Sequence, residues 1–181
     1  MCTKTKQDKP RVWYAIQTLY CKEERAAAFC EEQGLNCFIP MRYEETADRE
    51  GNKKRKLIPA IHNLFFLEKT QSEKQIREAL ADCPVPLIFI RHRDTGRLYE
   101  IRDSEMVEIR AICDPDYTGT MYVDAATAEA RPGQTVRVIH GNFKGLIGKL
   151  VRYKNRSYVV ITVATLGVMI HIPKWYCTKI E

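Results

Sequence analysis

The most regular alternation of apolar and polar positions lies at residues 135–139, where Val136 and Val138 alternate with Thr135, Arg137 and Ile139. Period two marks a strand with one buried face. Gly141, Gly145 and Gly148 then interrupt the pattern. Glycines this crowded between β-branched runs imply positive φ or close backbone approach, as the corners of a small, tightly curled barrel require. Further strands are predicted at 147–153, 157–163, 168–172 and 177–180, separated by short turns. Five short strands in about 50 residues predict an SH3-like β-barrel.

The earlier part of the chain mixes periods. Residues 12–19 are rich in β-branched and aromatic side chains and read as a strand. Residues 22–33 form a helix with Ala26, Phe29 and Cys30 on one face, stopped by Gly34. A second strand spans 36–43, with Pro40 placing it at an edge or a bulge. The polar stretch 44–56 ends in Lys53-Lys54-Arg55-Lys56, which reads as a solvated hairpin tip. Within 57–67, Leu64, Phe65, Phe66 and Leu67 make a short buried strand. Ser72 and Gln75 form a capping box ahead of Ile76, Ala79, Leu80 and Cys83 at helical spacing. Strands at 87–91 and 98–101 flank the turn Asp94-Thr95-Gly96. Asp103 or Ser104 caps a last helix with Met106, Ile109 and Cys113 inward.

The order is β-α-β-β-α-β with an added strand and helix, so the fold class is α+β. It predicts a split-βαβ, ferredoxin-like domain with helices on one face of an antiparallel sheet. Residues 114–130 keep no periodicity and read as a linker, with a short extended piece at 121–123. The expected organisation is a domain at 11–113, a linker at 114–130 and a barrel at 131–181.

Charge sharpens this division. The net charge of +6 is concentrated at the end of the chain, because residues 131–181 hold nine Lys or Arg and one acid, Glu181. A compact cationic module suits a polyanion or an acidic partner. The seven cysteines form no Cys-x-x-Cys pair and the four histidines show no ligand spacing, so no metal and no cofactor is expected. Cys30, Cys83 and Cys113 fall on apolar helix faces and read as buried thiols of a reducing compartment. No phosphate loop or nucleophile motif appears, and an enzyme is not expected. With no apolar run of about 18 residues, the protein is expected to be soluble, cytoplasmic and monomeric, without a membrane partner.

The residues Gly133, Val136, Val138, Gly141, Phe143, Gly145 and Gly148 resemble the KOW element of NusG-type transcription factors and several ribosomal proteins. Trp13-Tyr14, the Asn36 to Met41 run, the basic hairpin and the strand ending Leu64-Phe65-Phe66-Leu67 look like the specialised, RfaH-like branch of the NusG family. That branch includes operon-selective antiterminators, among them those of capsular polysaccharide operons. The resemblance covers residues 11–113 and 131–181. It departs at Ile61-His62-Asn63-Leu64, where the family has an aromatic-Pro-Gly or aromatic-Pro-Asn turn before a tyrosine.

This resemblance implies a transcription elongation or antitermination factor. Its N-terminal domain would bind the RNA polymerase clamp and suppress pausing or termination at selected operons. Trp13, Tyr14, Ile61, Leu64 and Phe66 are the candidates for the polymerase-facing surface; the other reading is that they fill the core of the sheet. Lys22 and Arg25 are the candidates for contact with the non-template DNA strand, against the reading of an ordinary solvated helix face. Phe143 and Leu166, in the barrel, would receive a ribosomal protein or a termination factor. Arg137, Lys144, Lys149, Arg152, Lys154 and Arg156, interleaved with Tyr153 and Tyr158, would serve RNA instead. The β-branched runs at 159–163 and 168–172 predict a permanent barrel. The alternative from another class is an RNA-binding, ribosome-associated KOW protein, for which the N-terminal domain would be superfluous.

Overall fold

The computed structural model describes residues 11–180 except 48–50, 52, 93, 118, 164 and 165; of residues 124, 125, 163 and 166 it describes the backbone alone. The first sheet is built around β1 (Val12–Gln17), which is followed by α1 (Glu23–Glu32). Pro40 splits the expected second strand into β2 (Cys37–Phe38) and β3 (Met41–Ala47), as a residue without an N–H does in a ladder. Next come β4 (Lys53–Pro59), β5 (Leu64–Glu68) and α2 (Glu73–Ala79). The Ser72–Gln75 capping box forms as the sequence predicts, although the helix ends before Cys83. The strands β6 (Ile88–Phe89) and β7 (Glu100–Arg102) both pair with β1, end to end, and α3 (Asp103–Ile112) follows. All pairs in this sheet are antiparallel, in the order β2-β5-β1-β6 with β7 also on β1.

The basic run is not at a hairpin tip. It forms β4 itself, and β4 pairs with β3 so that Lys56 faces Glu44 and Arg55 faces Glu45. Opposite charges across a strand pair stabilise by a few tenths of a kcal/mol, roughly 0.2–1, which gives Arg55 and Lys56 of this run a structural role.

Helices lie on both faces of the first sheet rather than on one. Tyr14, Ile16, Phe65 and Leu67 pack with Ala26 and Cys30 of α1 and Ile76 of α2. Trp13, Ala15, Leu64 and Phe66 pack on the other side with Met106, Ile109 and Ile112 of α3. The cause is in the sequence of β1 and β5. Both are apolar at successive positions, so each face must be covered.

The second sheet has six antiparallel strands in the order β13-β9-β10-β11-β12-β8. They are β8 (Thr120–Asp124), β9 (Gln134–Val138), β10 (Ile147–Tyr153), β11 (Arg156–Val163), β12 (Leu166–His171) and β13 (Cys177–Lys179), with α4 (Ala125–Ala130) after β8. The turn from β9 to β10 uses its glycines as anticipated. Gly145 has φ +100°, and a Cβ on Gly148 would stand 2.6 Å from both Val159 Cγ1 and the Val160 carbonyl oxygen.

Residues 120–130, within the expected linker, are folded onto this sheet. β8 pairs with β12 from Thr120 opposite Ile170 to Asp124 opposite Leu166. Ala128 of α4 is fully buried with Val151, Tyr158, Val160 and Met169. Small residues hide such a helix from periodicity, because alanine marks no face, yet they let it approach the sheet closely.

A short joint connects the two sheets. The Thr120 hydroxyl donates to the Ile112 carbonyl at 3.2 Å, and the Tyr117 hydroxyl donates to the His171 carbonyl at 2.9 Å. The Tyr117 ring stands edge-on to Phe143 with centroids 4.8 Å apart. One apolar cluster therefore runs from Trp13 and α3 to Val138 and Ile170.

Candidate functional site

Of the five candidates for the polymerase-facing surface, Trp13, Tyr14, Leu64 and Phe66 fill the core of the sheet, and Ile61 alone of the five reaches its margin. Tyr14 points into the α1/α2 side, 5.7 Å from the Phe89 ring and with the Lys69 ammonium 5.3 Å from its centroid. Burial raises its pKa, while the Lys69 contact opposes the rise. Lys69 is itself held charged, first by its hydrogen bond to Glu100. Trp13, Leu64 and Phe66 lie buried on the α3 side, and half-buried Ile61 packs at its margin. The Trp13 indole N–H donates to Asp103 Oδ1 at 3.1 Å, and the Arg110 guanidinium covers its ring at 4.8 Å. Phe66 stacks on Phe38.

Ile61 leads into the turn at Asn63, which is held against a second turn at Tyr20 and Cys21. Tyr20, Cys21 and Asn63 all have positive φ, at 61°, 51° and 62°. Non-glycine residues held there cost about 1–3 kcal/mol each and persist only where neighbours enforce them. The enforcing contacts are present. Asn63 Oδ1 accepts from the Cys21 N–H at 2.7 Å, the Asn63 carbonyl accepts from the Thr18 N–H at 3.0 Å, and the Asn63 N–H donates to Glu23 Oε1 at 3.0 Å. Glu23 is fully buried for this purpose. His62 Nδ1 stands 3.6 Å from the exposed Cys21 thiol.

The result is a rigid turn that projects Tyr20, 81% exposed, at the N-terminus of α1. Lys22 and Arg25 are exposed beside it, and among the described residues neither makes an ion pair. The turn thus brings Ile61 and His62 next to the helix that carries Lys22 and Arg25. Asn63 was visible in the sequence as the one retained member of the family turn. No sequence signal announces Tyr20 and Cys21, because positive φ at ordinary residues leaves no compositional mark.

In the second sheet Phe143 is half-buried against Tyr117. Leu166 pairs with Val163 and Asp124 through its backbone, and its side chain lies outside what the structure describes, as do Ala164 and Thr165. Among the described residues no group of three or more His, Cys, Asp or Glu could hold a metal ion, and no helix is long and apolar enough to cross a membrane.

The cysteines offer a check on the joint. Burial pushes the Cys113 thiol up to about 12, so below pH 10 it stays neutral and unreactive. At pH 8 iodoacetamide is expected to modify Cys21 first and to spare Cys113, read by mass spectrometry of the native chain. Equal rates at the two sites would mean that α3 and β8 separate readily.

Residues 11–110 match the family model NusG, described as transcription termination factor nusG. No curated protein matches the chain significantly.

Proposed function

The chain belongs to the NusG family of transcription elongation and antitermination factors, and we propose that it closes the RNA polymerase clamp through residues 11–113 and does so at selected operons. The carrying observation is the rigid turn at Tyr20, Cys21 and Asn63. It sets an apolar margin at Ile61 beside two exposed cations, Lys22 and Arg25, within the region that the family model matches. An apolar contact with the clamp and a cationic contact with the exposed non-template strand can then be made together.

The mechanism needs no bond-making. Pausing requires the clamp to open or the active site to distort. A factor that binds the closed, elongating state better shifts the equilibrium by its differential affinity alone. The strand order β2-β5-β1-β6/β7 supports a ferredoxin-like reading of the N-terminal unit. The glycine-cornered sheet that follows supports a KOW reading of the second, for which a ribosomal protein or termination factor is the proposed partner.

Operon selectivity is tested on halted elongation complexes that differ in non-template sequence. The chain is expected to bind one promoter-proximal sequence preferentially, with Arg25→Ala erasing the preference and Lys54→Ala leaving it. Lys54 lies on the separate β3–β4 hairpin. Uniform binding to all sequences with Arg25→Ala silent would leave a general elongation factor in place of a selective one.

A further inference from the structure

We infer that Cys21 and His62 form a modification site for anionic low-molecular-weight disulfides, and that the mixed disulfide made there switches off the turn that carries them. The two side chains come from segments 41 residues apart, and Asn63 joins them. Its Oδ1 accepts from the Cys21 N–H at 2.7 Å and holds Cys21 at φ 51°, while His62 is its neighbour in the chain. Cys21 Sγ and His62 Nδ1 are thereby set 3.6 Å apart, both exposed. The other described thiols are placed differently. Cys30 and Cys113 are buried, and Cys37, Cys83 and Cys177 are half-buried.

The groups around the thiol select the reagent. Helix α1 starts behind Lys22 without a side-chain cap, so its positive end adds to the charge beside the sulfur. Lys22 and Arg25 are exposed there, against Glu24 as the exposed acid of the first turn. Glu23 is turned inward. Its Oε1 accepts from the Asn63 N–H, and its Oε2, fully buried beneath the turn, has no partner among the described residues. The site therefore offers positive charge to carboxylates and an unmet acceptor to an amide N–H. A small acidic peptide disulfide carries both groups, and a neutral or cationic disulfide lacks the first.

The exchange balances without a further reactant. The Cys21 sulfur attacks one sulfur of the disulfide as its proton passes to His62 Nδ1, in the tautomer that carries its own proton on Nε2, because the deprotonated sulfur is the nucleophile. A new S–S bond forms at Cys21 and the S–S bond of the reagent breaks. The departing thiolate takes the proton from the imidazolium, so Cys21 is oxidised and the reagent is reduced to a thiol. The adduct sets carboxylates against Lys22 and Arg25 and bulk beside Tyr20 and Ile61, the chain neighbours of Cys21 and His62. That these are the groups that meet the non-template strand and the clamp rests on the function proposed above. On that reading a rise in oxidised small thiols silences the turn, and reduction restores it, as expected of a transient disulfide in a reducing compartment.

The test uses the full chain with three disulfides, oxidised glutathione (anionic), 2-hydroxyethyl disulfide (neutral) and cystamine (cationic), and scores each cysteine by peptide mass spectrometry. Cys21 is expected to take up oxidised glutathione about 10-fold faster than cystamine at low salt, with the gap closing near about 1 M salt. His62→Ala should slow Cys21 about 3- to 30-fold, a range bounded by the few per cent of thiolate that an unassisted thiol holds at about pH 7. The rate at half-buried Cys83 and the thermal melt should not change. Equal rates for the three disulfides, or a silent His62→Ala, overturns the site. The switch is scored on halted elongation complexes, where the glutathione adduct is expected to bind about 10-fold or more weakly than the reduced chain. Dithiothreitol should restore binding, and Cys21→Ser should be insensitive to the disulfide. Undiminished binding by the adduct overturns the switch. A reduced chain that binds no elongation complex sinks the polymerase reading and the switch with it, while the modification site stands or falls by the rates on the free chain.

Discussion

Ile61→Glu is expected to leave the chain folded and to abolish its binding to core RNA polymerase, while Leu64→Glu unfolds the N-terminal sheet. The two positions are three residues apart but differ in environment. Leu64 is 4% exposed inside the α3-side core, where an unpaired carboxylate has neither water nor a cation. That loss, together with the loss of leucine packing, is worth about 3–5 kcal/mol or more, a large share of the roughly 5–15 kcal/mol that keeps a domain folded. Ile61 is half-buried at the margin, so a carboxylate there can turn to solvent in the free chain. At a dry interface the same carboxylate is trapped, at a cost of about 2–5 kcal/mol. Circular dichroism melts and pull-down of core polymerase separate the outcomes. A folded Ile61→Glu chain that still captures polymerase would remove Ile61 from the contact.

The strands and helices of the first sheet were legible because their signals are local. The Ser72–Gln75 box, the apolar run of β5 and the Gly34 stop each depend on a few neighbours. The placement of helices on both faces was not legible from the element order, since β-α-β-β-α-β is compatible with either arrangement. It follows instead from the apolar residues at consecutive positions of β1, from Trp13 to Ile16. The basic run was misplaced for a different reason. A string of like charges looks like a tip until its partner strand is known, and Glu44 and Glu45 lie ten or more residues earlier in the chain.

The candidate site was legible only in part. Lys22, Arg25 and Ile61 came from resemblance, and the structure sets them around one turn. The turn itself rests on a tertiary bond network among Thr18, Cys21, Glu23 and Asn63, separated by about 40 residues of chain. A buried glutamate at the start of a helix reads in sequence as an ordinary favourable first-turn acid. Its hydrogen bond to the Asn63 backbone is what makes it part of the site.

A fragment spanning residues 116–181 is expected to fold with a cooperative melt, and a fragment of 131–181 to be largely unfolded or self-associated. The shorter piece loses β8, which occupies the edge of β12 along five residue pairs. It also loses α4, the cover of Val151, Tyr158, Val160 and Met169. Full exposure of side chains of this kind costs about 1.5–3 kcal/mol each. Even partial exposure of four approaches the stability of a small domain, while a bare β12 edge invites pairing with another copy. Adding a peptide of residues 116–130 should restore the melt, because it returns both elements. A fragment of 131–181 that melts as cooperatively and as high as 116–181 would show that β8 and α4 are dispensable, and that residues 114–130 serve as the linker their composition suggests.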